Sequence, residues 1–206
     1  KGRLMPELTR AEVDAHIAYG WTDYDQTRRV QNPGTLGLER YTADYDSQTF
    51  FAGLGLGRTF DLNSGFWLRP GASYDYIHAS IDGFDEGTGA LAPLALDIDD
   101  YNLDLHRLKA GLEAGWESES GFTASAEAYY LGLYGDREAK TDGHLTADPV
   151  NGFEVIGNGL DENSLGLGAK LALPVGPNWE LGVGYDFLVG SDATTHQGSA
   201  TVTFRF

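Results

Sequence analysis

Three features are scarce in this sequence, and each scarcity excludes a class of protein. Cysteine is absent, so the 206 residues hold no disulfide framework and no thiolate metal site. Lys and Arg number 14 against 31 Asp and Glu, and the net charge of −17 argues against a nucleic-acid partner, which requires a basic patch. Apolar runs are only a few residues long, as at 91–96 around Pro93, so no helix in this sequence could span a bilayer.

The C-terminal stretch, 194–206, alternates strictly between apolar and polar residues. One face would carry Ala200, Val202, Phe204 and Phe206, and the other Ser199, Thr201, Thr203 and Arg205. A period of two is that of a β-strand with one apolar and one polar face. A final strand that ends on an aromatic residue is typical of a barrel whose outward face meets lipid and whose lumen face meets water. The sequence therefore predicts an all-β fold, an antiparallel transmembrane β-barrel of the outer-membrane type.

The same alternation recurs along the chain and predicts about eight strands. They cover roughly 12–24, 44–60, 66–81, 101–116, 122–134, 165–173, 179–187 and 194–206. Two irregularities are expected. Pro70 lies inside the third strand and predicts a bulge or local irregularity there. The fourth strand changes phase between Leu105 and Leu108, which predicts a bulge near His106.

The connections between these strands alternate in length. They are long after strands one, three and five and short after strands two, four and six, as in barrels with short periplasmic turns and longer external loops. With an even strand count, both chain termini are expected on the periplasmic side. A soluble β-sandwich or lipocalin-like barrel would explain the alternation, but not two girdles of aromatic side chains at the membrane interfaces. Those interface aromatics are Tyr19, Trp21, Tyr76, Trp116, Tyr130 and Trp179.

Charged residues of both signs fall on the face that would line the lumen. Charges in a lumen require partners or water, so ion pairs and hydration are their simplest role. Glycines on the same face, at 53, 55, 57, 166, 168, 182 and 184, would either leave lumen space or let the charges cross a narrow barrel and pair. The lumen-facing polar set is Asp14, Arg69, Asp75, Arg107, Lys109, Glu113, Glu127, Lys170, Glu180, Asp186 and Arg205.

Residues arranged for covalent chemistry are hard to find. The sequence has no nucleophile elbow, no H-E-x-x-H and no phosphate loop. Asp97, Asp99 and Asp100 lack the spacing of an EF-hand and its final Glu, so a solvated acidic loop is favoured over calcium binding. Ser73, Asp75 and His78 form a possible hydrolase set, but His78 lies in the opposite phase. We therefore expect no catalytic residues, no metal site and no cofactor.

Several passages resemble the C-terminal translocator β-domain of classical type V autotransporters. The resemblance covers nearly the whole chain, and it depends on the order and spacing of the passages because single barrel strands carry weak signals. The passages are AYGWTDYDQTRRV in the first strand, FWLRPGASYDYIHASIDGFDE in the third, LDIDDYNLDLHRLKAGLEAGW in the fourth, and ENSLGLGAKLALPVGPNWELGVGYDFLVGSDATTHQGSATVTFRF over the last three.

The resemblance implies an outer-membrane translocator barrel that anchors the protein and supports export of an N-terminal passenger to the surface of a Gram-negative bacterium. The family barrel has about a dozen strands and is threaded by a helical linker, so this chain would supply roughly the last eight. Residues 1–11 would then be a linker or a remnant of the upstream region, and 12–206 the barrel. The implied partners are a covalently linked passenger, outer-membrane lipid and lipopolysaccharide. A complete small barrel with a structural or adhesin-like surface-binding role is the alternative.

The last strand would have a second role by the same resemblance. Outer-membrane proteins share a final strand that ends in Phe, with apolar residues at alternate positions, and the barrel-assembly machinery reads it. Val202, Phe204 and Phe206 fit this assembly signal. An exposed edge strand can pair with a strand of another protein by β-augmentation.

Overall fold

The computed structural model describes residues 11–32, 34, 37–87 and 94–204. The strands, in chain order, are β1 (Ala11–Asn32), β2 (Gly37–Arg58), β3 (Phe60–Asp61), β4 (Phe66–Ile81), β5 (Phe84–Asp85), β6 (Leu96–Ile98), β7 (Tyr101–Glu117), β8 (Thr123–Gly135), β9 (Lys140–Leu145), β10 (Asp148–Ile156), β11 (Asn163–Val175), β12 (Trp179–Val189) and β13 (Thr194–Phe204). A single 3-10 turn, Asn63–Gly65, joins β3 to β4. Among the described residues no helix is long and apolar enough to cross a membrane. Of the predicted N-terminal segment, 1–11, only Ala11 is described, and Arg205 and Phe206 lie outside the described residues.

The long strands form one antiparallel sheet that curls strongly. Its order is β1-β2-β4-β7-β8-β11-β12-β13, so each long strand pairs with the next along the chain, and β3 pairs with β4 beyond the end of β2. The predicted all-β class with about eight antiparallel strands is confirmed. Within the described ranges, β1 and β13 each have a partner on one edge only.

The two ends of this sheet differ, and we name them by their connections. The turn end carries the short connections at 62–65, 118–122 and 176–178. The loop end carries the long connections at 82–100 and 136–162, together with short connections between β1 and β2 and between β12 and β13. The short connections after predicted strands two, four and six and the long ones after strands three and five agree with the predicted alternation. The first connection differs from the prediction: residues 25–43, expected as a polar link, are mostly strand, and β1 pairs with β2 from Ala11↔Arg58 to Asn32↔Gly37. That hairpin was missed because its β1 half, 22–32, is mostly polar on both faces.

The loops at the loop end also contain strands. A four-stranded sheet of order β10-β9-β6-β5 forms from the two long connections, both of which were predicted as loops. Its first ladder continues that of the long sheet, because Ile81 pairs with Tyr101 and, three residues further on each strand, Phe84 pairs with Ile98. A small core forms beside it, where Tyr41, Ala43 and Ala95 are buried.

The two predicted irregularities have different outcomes. Opposite Pro70, β2 ends at Arg58 and pairing resumes at Phe60, so the ladder is interrupted, yet the register is the same on both sides and no residue is inserted. The cause is that proline has no N–H to donate. The predicted bulge near His106 is wrong: β7 pairs with β4 and with β8 in unbroken register through His106.

Candidate functional site

One face of the long sheet is charged where the other is apolar. In the observed register, the ten described members of the predicted lumen-facing set all fall on one face. That face carries the even positions of β1, β11 and β12 and the odd positions of β2, β4, β7 and β8. We call this the charged face. Side chains of β1 and β4, which flank β2, meet across it, so the sheet curls toward this side. Of the predicted set only Arg205 lies outside the described residues.

Asp75 is the most deeply buried of these charges. Its side chain is 2% exposed, and its two oxygens have different partners. Nε of Arg107, on the next strand, donates to Oδ2 at 2.8 Å, and Nε2 of His16 lies 3.0 Å from Oδ1. His16 also stacks on Phe51, with ring centroids 4.9 Å apart. A buried carboxylate is stable here because both oxygens are bound.

Two further clusters follow along the same face. Arg69 bridges Glu12 at 2.5 Å and Glu113 at 3.9 Å, and the hydroxyl of Ser125 donates to Glu113. Glu127 accepts from Lys109 and lies 3.7 Å from the Nζ of Lys170. The charged face is thus a network of ion pairs between strands and not a set of isolated charges.

Three further predicted members lie on the same face. Asp14 lies over Gly55, and Asp186 lies beside Gly168. Glu180 is paired in register with Thr203 on β13. Together with Arg69 and the Lys109 cluster, Asp14 borders a cavity of about 240 Å³ floored by Gly55, Gly57, Gly71 and Gly111.

The clusters depend on glycines in the intervening strand. Gly53 lies between His16 and Asp75 in register, and Gly57 is paired with Glu12 on one side and Gly71 on the other. A Cβ on Gly53 would lie 2.2 Å from both Asp75 Oδ1 and His16 Nε2. The absent side chain is therefore the space in which charges from two non-adjacent strands meet.

The opposite face carries the predicted interface aromatics. At the turn end Trp116 contacts Phe66 and Phe122, and Trp179 lies 4.7 Å from Phe204. Toward the loop end, the ring of Tyr19 lies beside that of Trp21, and its hydroxyl donates a hydrogen bond to Gln48. The ring of Tyr76 lies beside that of Phe50, and the hydroxyls of Tyr130 and Tyr134 are hydrogen-bonded to each other. Of the predicted assembly signal, Val202 and Phe204 are exposed on this face, and Phe206 is outside the described residues.

Beyond Asp75, toward the loop end, the polarity of the two faces is exchanged. The charged face becomes apolar, and one ladder row there reads Phe51, Ile77 and Leu105 across β2, β4 and β7. On β4 and β7 the opposite face gains polar groups between its aromatic side chains: Tyr76 donates to Asp104, and Nδ1 of His78 lies 2.9 Å from the same carboxylate. This apolar row comprises Phe51, Ile77 and Leu105, and on β8 the change comes earlier, because Leu131 and Leu133 pair with Lys109 and Arg107.

This exchange explains the phase change read from the sequence of β7. Leu103 and Leu105 do share a face with Arg107, and no inserted residue is needed. Sequence reasoning also missed two partners on the charged face, Glu12 and His16. Their even numbering, shared with Asp14, was the available signal.

The candidate hydrolase set, Ser73, Asp75 and His78, does not assemble. Ser73 and Asp75 share the charged face, but Asp75 is held by Arg107 and His16, whereas His78 binds Asp104 on the opposite face. Asp97, considered for calcium, is paired with His144 at 3.4 Å. No group of three or more potential metal ligands occurs among the described residues.

Comparison with known proteins adds to this geometry. The family model described as Autotransporter beta-domain matches residues 7–186. The chain is similar to Esterase EstA of Pseudomonas aeruginosa, at 31% identity over 199 residues that cover 94% of this chain and 30% of that protein. Esterase EstA of Pseudomonas putida matches with the same figures. An uncharacterized protein in the trpE-trpG intergenic region of Pseudomonas putida is 28% identical over 146 residues, 70% of this chain and 24% of that protein.

A strongly curled antiparallel sheet with an apolar face and a charged face is the architecture of an outer-membrane barrel domain. The chain belongs to the Autotransporter beta-domain family. Membership implies an outer-membrane translocator role in a Gram-negative bacterium. The chain spans about 30% of the length of the two esterases it matches.

Proposed function

We propose that this chain is the membrane-embedded part of a translocator that supports export of a covalently linked N-terminal passenger to the cell surface. The observation that supports this most directly is the charged face. A curled sheet that is apolar outside and charged inside fits a water-filled passage through lipid. Its ion pairs keep the passage polar, and its glycines keep it open.

The passage requires a closed wall. In the described residues the outer edges of β1 and β13 have no partner, and unpaired backbone groups are not tolerated in the hydrocarbon region. Further strands of the same polypeptide would complete the barrel, giving the dozen that the family resemblance implies. The length of the matched relatives leaves room for both these strands and a passenger.

In this proposal the loop end faces the outside and the turn end faces the periplasm, with the C-terminus on the periplasmic side. The aromatics of the two ends would then lie at the two membrane interfaces. Lipid and lipopolysaccharide surround the barrel. Val202, Phe204 and Phe206 are recognised by the barrel-assembly machinery, and deletion of Phe206 is expected to lower the outer-membrane yield in cells. An unchanged yield and assembly rate would exclude that role.

The chain itself carries no covalent chemistry in this proposal. Any enzymatic activity of the full-length protein belongs to the passenger. An esterase is named among the relatives, but the part of those proteins that matches this chain is less than a third of their length.

The test is made on outer membranes of the native host with antiserum against this chain, before and after protease treatment of intact cells. A band much larger than the 22.3 kDa of the chain, shortened by external protease to a membrane-protected fragment, is expected. A band near 22.3 kDa that protease leaves unchanged would overturn the proposal and identify a small complete barrel.

The lumen lining has its own test within this proposal. Arg69→Gln and Glu127→Gln remove charges from two clusters of the charged face. If the lining contacts the passing polypeptide, both variants slow the appearance of the passenger at the surface while the barrel remains folded. Export at the unmodified rate would leave the clusters a purely structural role.

A further inference from the structure

Two arginines lie opposite each other on the outward side of the β1–β2 hairpin. Arg29 and Arg40 are partners in the register, so their side chains leave the same face, and both are exposed. The preceding residue, Arg28, lies on the inner side, where it donates to Glu86. Residues directly opposite on antiparallel strands have Cβ atoms about 4.5–5.5 Å apart. The two guanidinium groups can therefore reach the same point outside the hairpin.

Neither arginine forms an ion pair within the part of the chain that the structure describes. Apart from histidines, the cations in the ion pairs there are Arg28, Arg69, Arg107, Lys109, Arg137, Lys140 and Lys170. On the same face of the hairpin, Asp25 and Asp44 are four residues away along each strand, about 13 Å at roughly 3.3 Å per residue. Arg40 makes only a long hydrogen bond, 3.4 Å, to the hydroxyl of Thr27.

This arrangement of like charges is unfavourable for the hairpin alone. Charges of one sign that are directly opposite on an antiparallel pair are destabilising. The chain has 31 Asp and Glu against 14 Lys and Arg, so carboxylates that could offset the two arginines are abundant in the sequence. None of the described ones is placed to do so. The pair therefore has the character of a site whose counter-ion is an external anion.

The neighbours of the pair are uncharged. On the side toward the membrane Thr27 is paired with Thr42, and on the side toward the tip Gln31 is paired with Leu38. Hydroxyl groups can donate further hydrogen bonds to an anion. An arginine binds phosphate through two parallel N–H···O bonds, and a phosphate monoester has three terminal oxygens, enough for two arginines. A phosphate group thus fits this pair better than a carboxylate, which has two oxygens.

The hairpin fixes the position of the pair. On its inner side Phe84 stacks on Tyr45, with ring centroids 4.7 Å apart. Near its tip the buried Asn32 donates to Glu39 at 2.7 Å and accepts from the N–H of Gly34 at 2.8 Å. Binding groups on a supported strand are positioned more precisely than those on a loop. The two arginines therefore lie on a prepared surface.

We propose that Arg29 and Arg40 form a binding site for a phosphate monoester group, with the hydroxyls of Thr27 and Thr42 at its margin. The net charge of −17 opposes attraction of an anion from a distance, so the affinity comes from direct contact with the two guanidinium groups. The site does not depend on export of a passenger. Its ligand could be carried by the saccharide of lipopolysaccharide, if the loop end faces outward as in the proposed function, or be inorganic phosphate.

The test measures binding to the full-length protein in detergent by calorimetry. The probes are the de-acylated, water-soluble saccharide of the host's lipopolysaccharide, the same saccharide after phosphatase treatment, and inorganic phosphate. Binding of the phosphorylated saccharide but not of the treated one assigns the ligand to lipopolysaccharide, and binding of inorganic phosphate alone assigns it to the free ion. A protein that binds none of the probes, or that binds both saccharides equally, would overturn the inference.

Variants then locate the binding. Arg29→Gln with Arg40→Gln is expected to weaken binding at least about tenfold, because charge-assisted hydrogen bonds are lost. Arg58→Gln removes the same charge at the turn end, where Arg58 lies over the ring of Phe60, and it should bind as the unmodified protein does. An unchanged affinity of the double variant would also overturn the inference.

A second readout separates this site from a structural role of the arginines. Arg29→Lys with Arg40→Lys keeps both charges but loses the paired N–H groups, so binding should weaken although the net charge is the same. Arg29→Gln removes the repulsion, so the unfolding midpoint of the ligand-free protein should stay the same or rise. Lysine variants that bind as tightly, or a lower midpoint of Arg29→Gln, would contradict the proposed site.

The outcome for the proposed function is read independently. If the passenger is displayed at the cell surface and no probe binds, only the inference about the arginine pair fails. If the probes bind and the passenger is not displayed, the phosphate site stands and the translocator proposal fails.

Discussion

Gly53 shows how much the charged face depends on a missing side chain. It is the only spacer between His16 on β1 and Asp75 on β4, and both groups reach over it. A Cβ at this position would lie 2.2 Å from an atom of each. The glycine at position 53 therefore determines whether His16 of β1 can reach the Asp75 carboxylate of β4, although these two strands are not adjacent.

Gly53→Ala is therefore expected to destabilise the barrel. The new methyl group displaces His16 or Asp75, and overpacking of this kind costs about 1–3 kcal/mol. The measurement is the unfolding midpoint of the full-length protein in detergent. Gly20→Ala is the matched control, because it lies on β1 and a Cβ there meets nothing within 4 Å. A Gly53→Ala protein as stable as the Gly20→Ala protein would contradict this account.

The ion pair between Asp75 and Arg107 has a separate prediction. Asp75→Asn keeps the shape and removes the charge, leaving Arg107 without its counter-ion. Because the Arg107 side chain is 44% exposed, we expect a loss of about 1–3 kcal/mol and not the larger cost of a fully buried pair. A double-mutant cycle with Arg107→Gln measures the coupling. Additive effects of the two substitutions would show that the pair contributes nothing.

The sequence predicts on which face of the sheet each charged residue lies, but it does not predict the residue with which it forms an ion pair. Alternation assigns Asp75 and Arg107 to one side without any knowledge of the neighbouring strands. The bond from Arg107 to Asp75 depends on the register of β4 against β7, and the contact of His16 depends on the curl across β2. These are properties of several strands together, and no local pattern encodes them.

At the scale of elements, the bulge predicted near His106 is wrong because the two faces of β7 exchange polarity along the strand. The prediction assumed that one face of a strand stays apolar along its whole length. The change of the apolar residues from odd positions at Leu105 to even positions at Leu108 was therefore interpreted as an inserted residue. The strand is regular, and its surroundings change along its length. A strand longer than the membrane is thick passes through more than one environment.

The upper half of the β1–β2 hairpin was missed for a related reason. Its outward positions include Asp23, Asp25, Asp44 and Asp46, and on β1 inner positions such as Gln26 and Arg28 are polar as well, so the β1 half shows no clear period of two. Its inner side is covered instead by residues of the next connection. Phe84 stacks on Tyr45, and Arg28 forms hydrogen bonds with Glu86 and the carbonyl of Leu94. Strand formation here is decided by these tertiary contacts.

Lowering the pH is expected to weaken the contact between the β4–β7 connection, which contains Glu86, and the β1–β2 hairpin, which contains Arg28. Burial raises the pKa of Glu86, but the hydrogen bonds from Arg28 and from the Leu96 N–H, with the charge of Arg28, outweigh it, so the pKa lies below its ordinary value of 4.5. A lowered carboxyl pKa contributes stability that is present above the ordinary pKa and is lost as the pH falls through the folded one. Hydrogen exchange of residues 84–87 and 94–98 should therefore accelerate below about pH 4.

Glu86→Gln gives the control for this pH dependence. It removes the titrating group, so exchange in these residues should be fast already at neutral pH and should change little on acidification. Arg29→Gln removes a charge beside Arg28 that lies on the other face, and it should leave both the rate and its pH dependence intact. Acid-induced exchange that persists in Glu86→Gln would assign the effect to another group.

At the scale of the whole molecule, the pairing of the outer edges of β1 and β13 determines the number of strands in the barrel. A barrel of eight strands would pair β1 with β13, whereas a larger barrel places further strands between them. The alternating pattern predicts the strand order correctly, but it does not encode which strand pairs with the outer edge of β1 or of β13.

We expect β1 and β13 to lie apart in the full-length protein. Cysteines at Ile17 and Val202 should not form a disulfide, because added strands separate them. Cysteines at Leu181 and Val202, which are paired in register, provide the positive control. The absence of cysteine from these 206 residues keeps the background low. Efficient crosslinking of β1 to β13 would show closure with eight strands.

The length of β1 has a consequence outside the membrane. Its 22 residues extend roughly 70 Å at about 3.3 Å each, whereas a barrel strand crosses lipid in about 9–11 residues. In the proposed orientation, with the loop end outward, the hairpin from Trp21 to Asn32 would extend beyond the lipid. An antibody or a bacteriophage tail fibre would meet its tip before it met the bilayer. Sequence change under immune or phage pressure should therefore concentrate there, while the glycines beneath remain fixed.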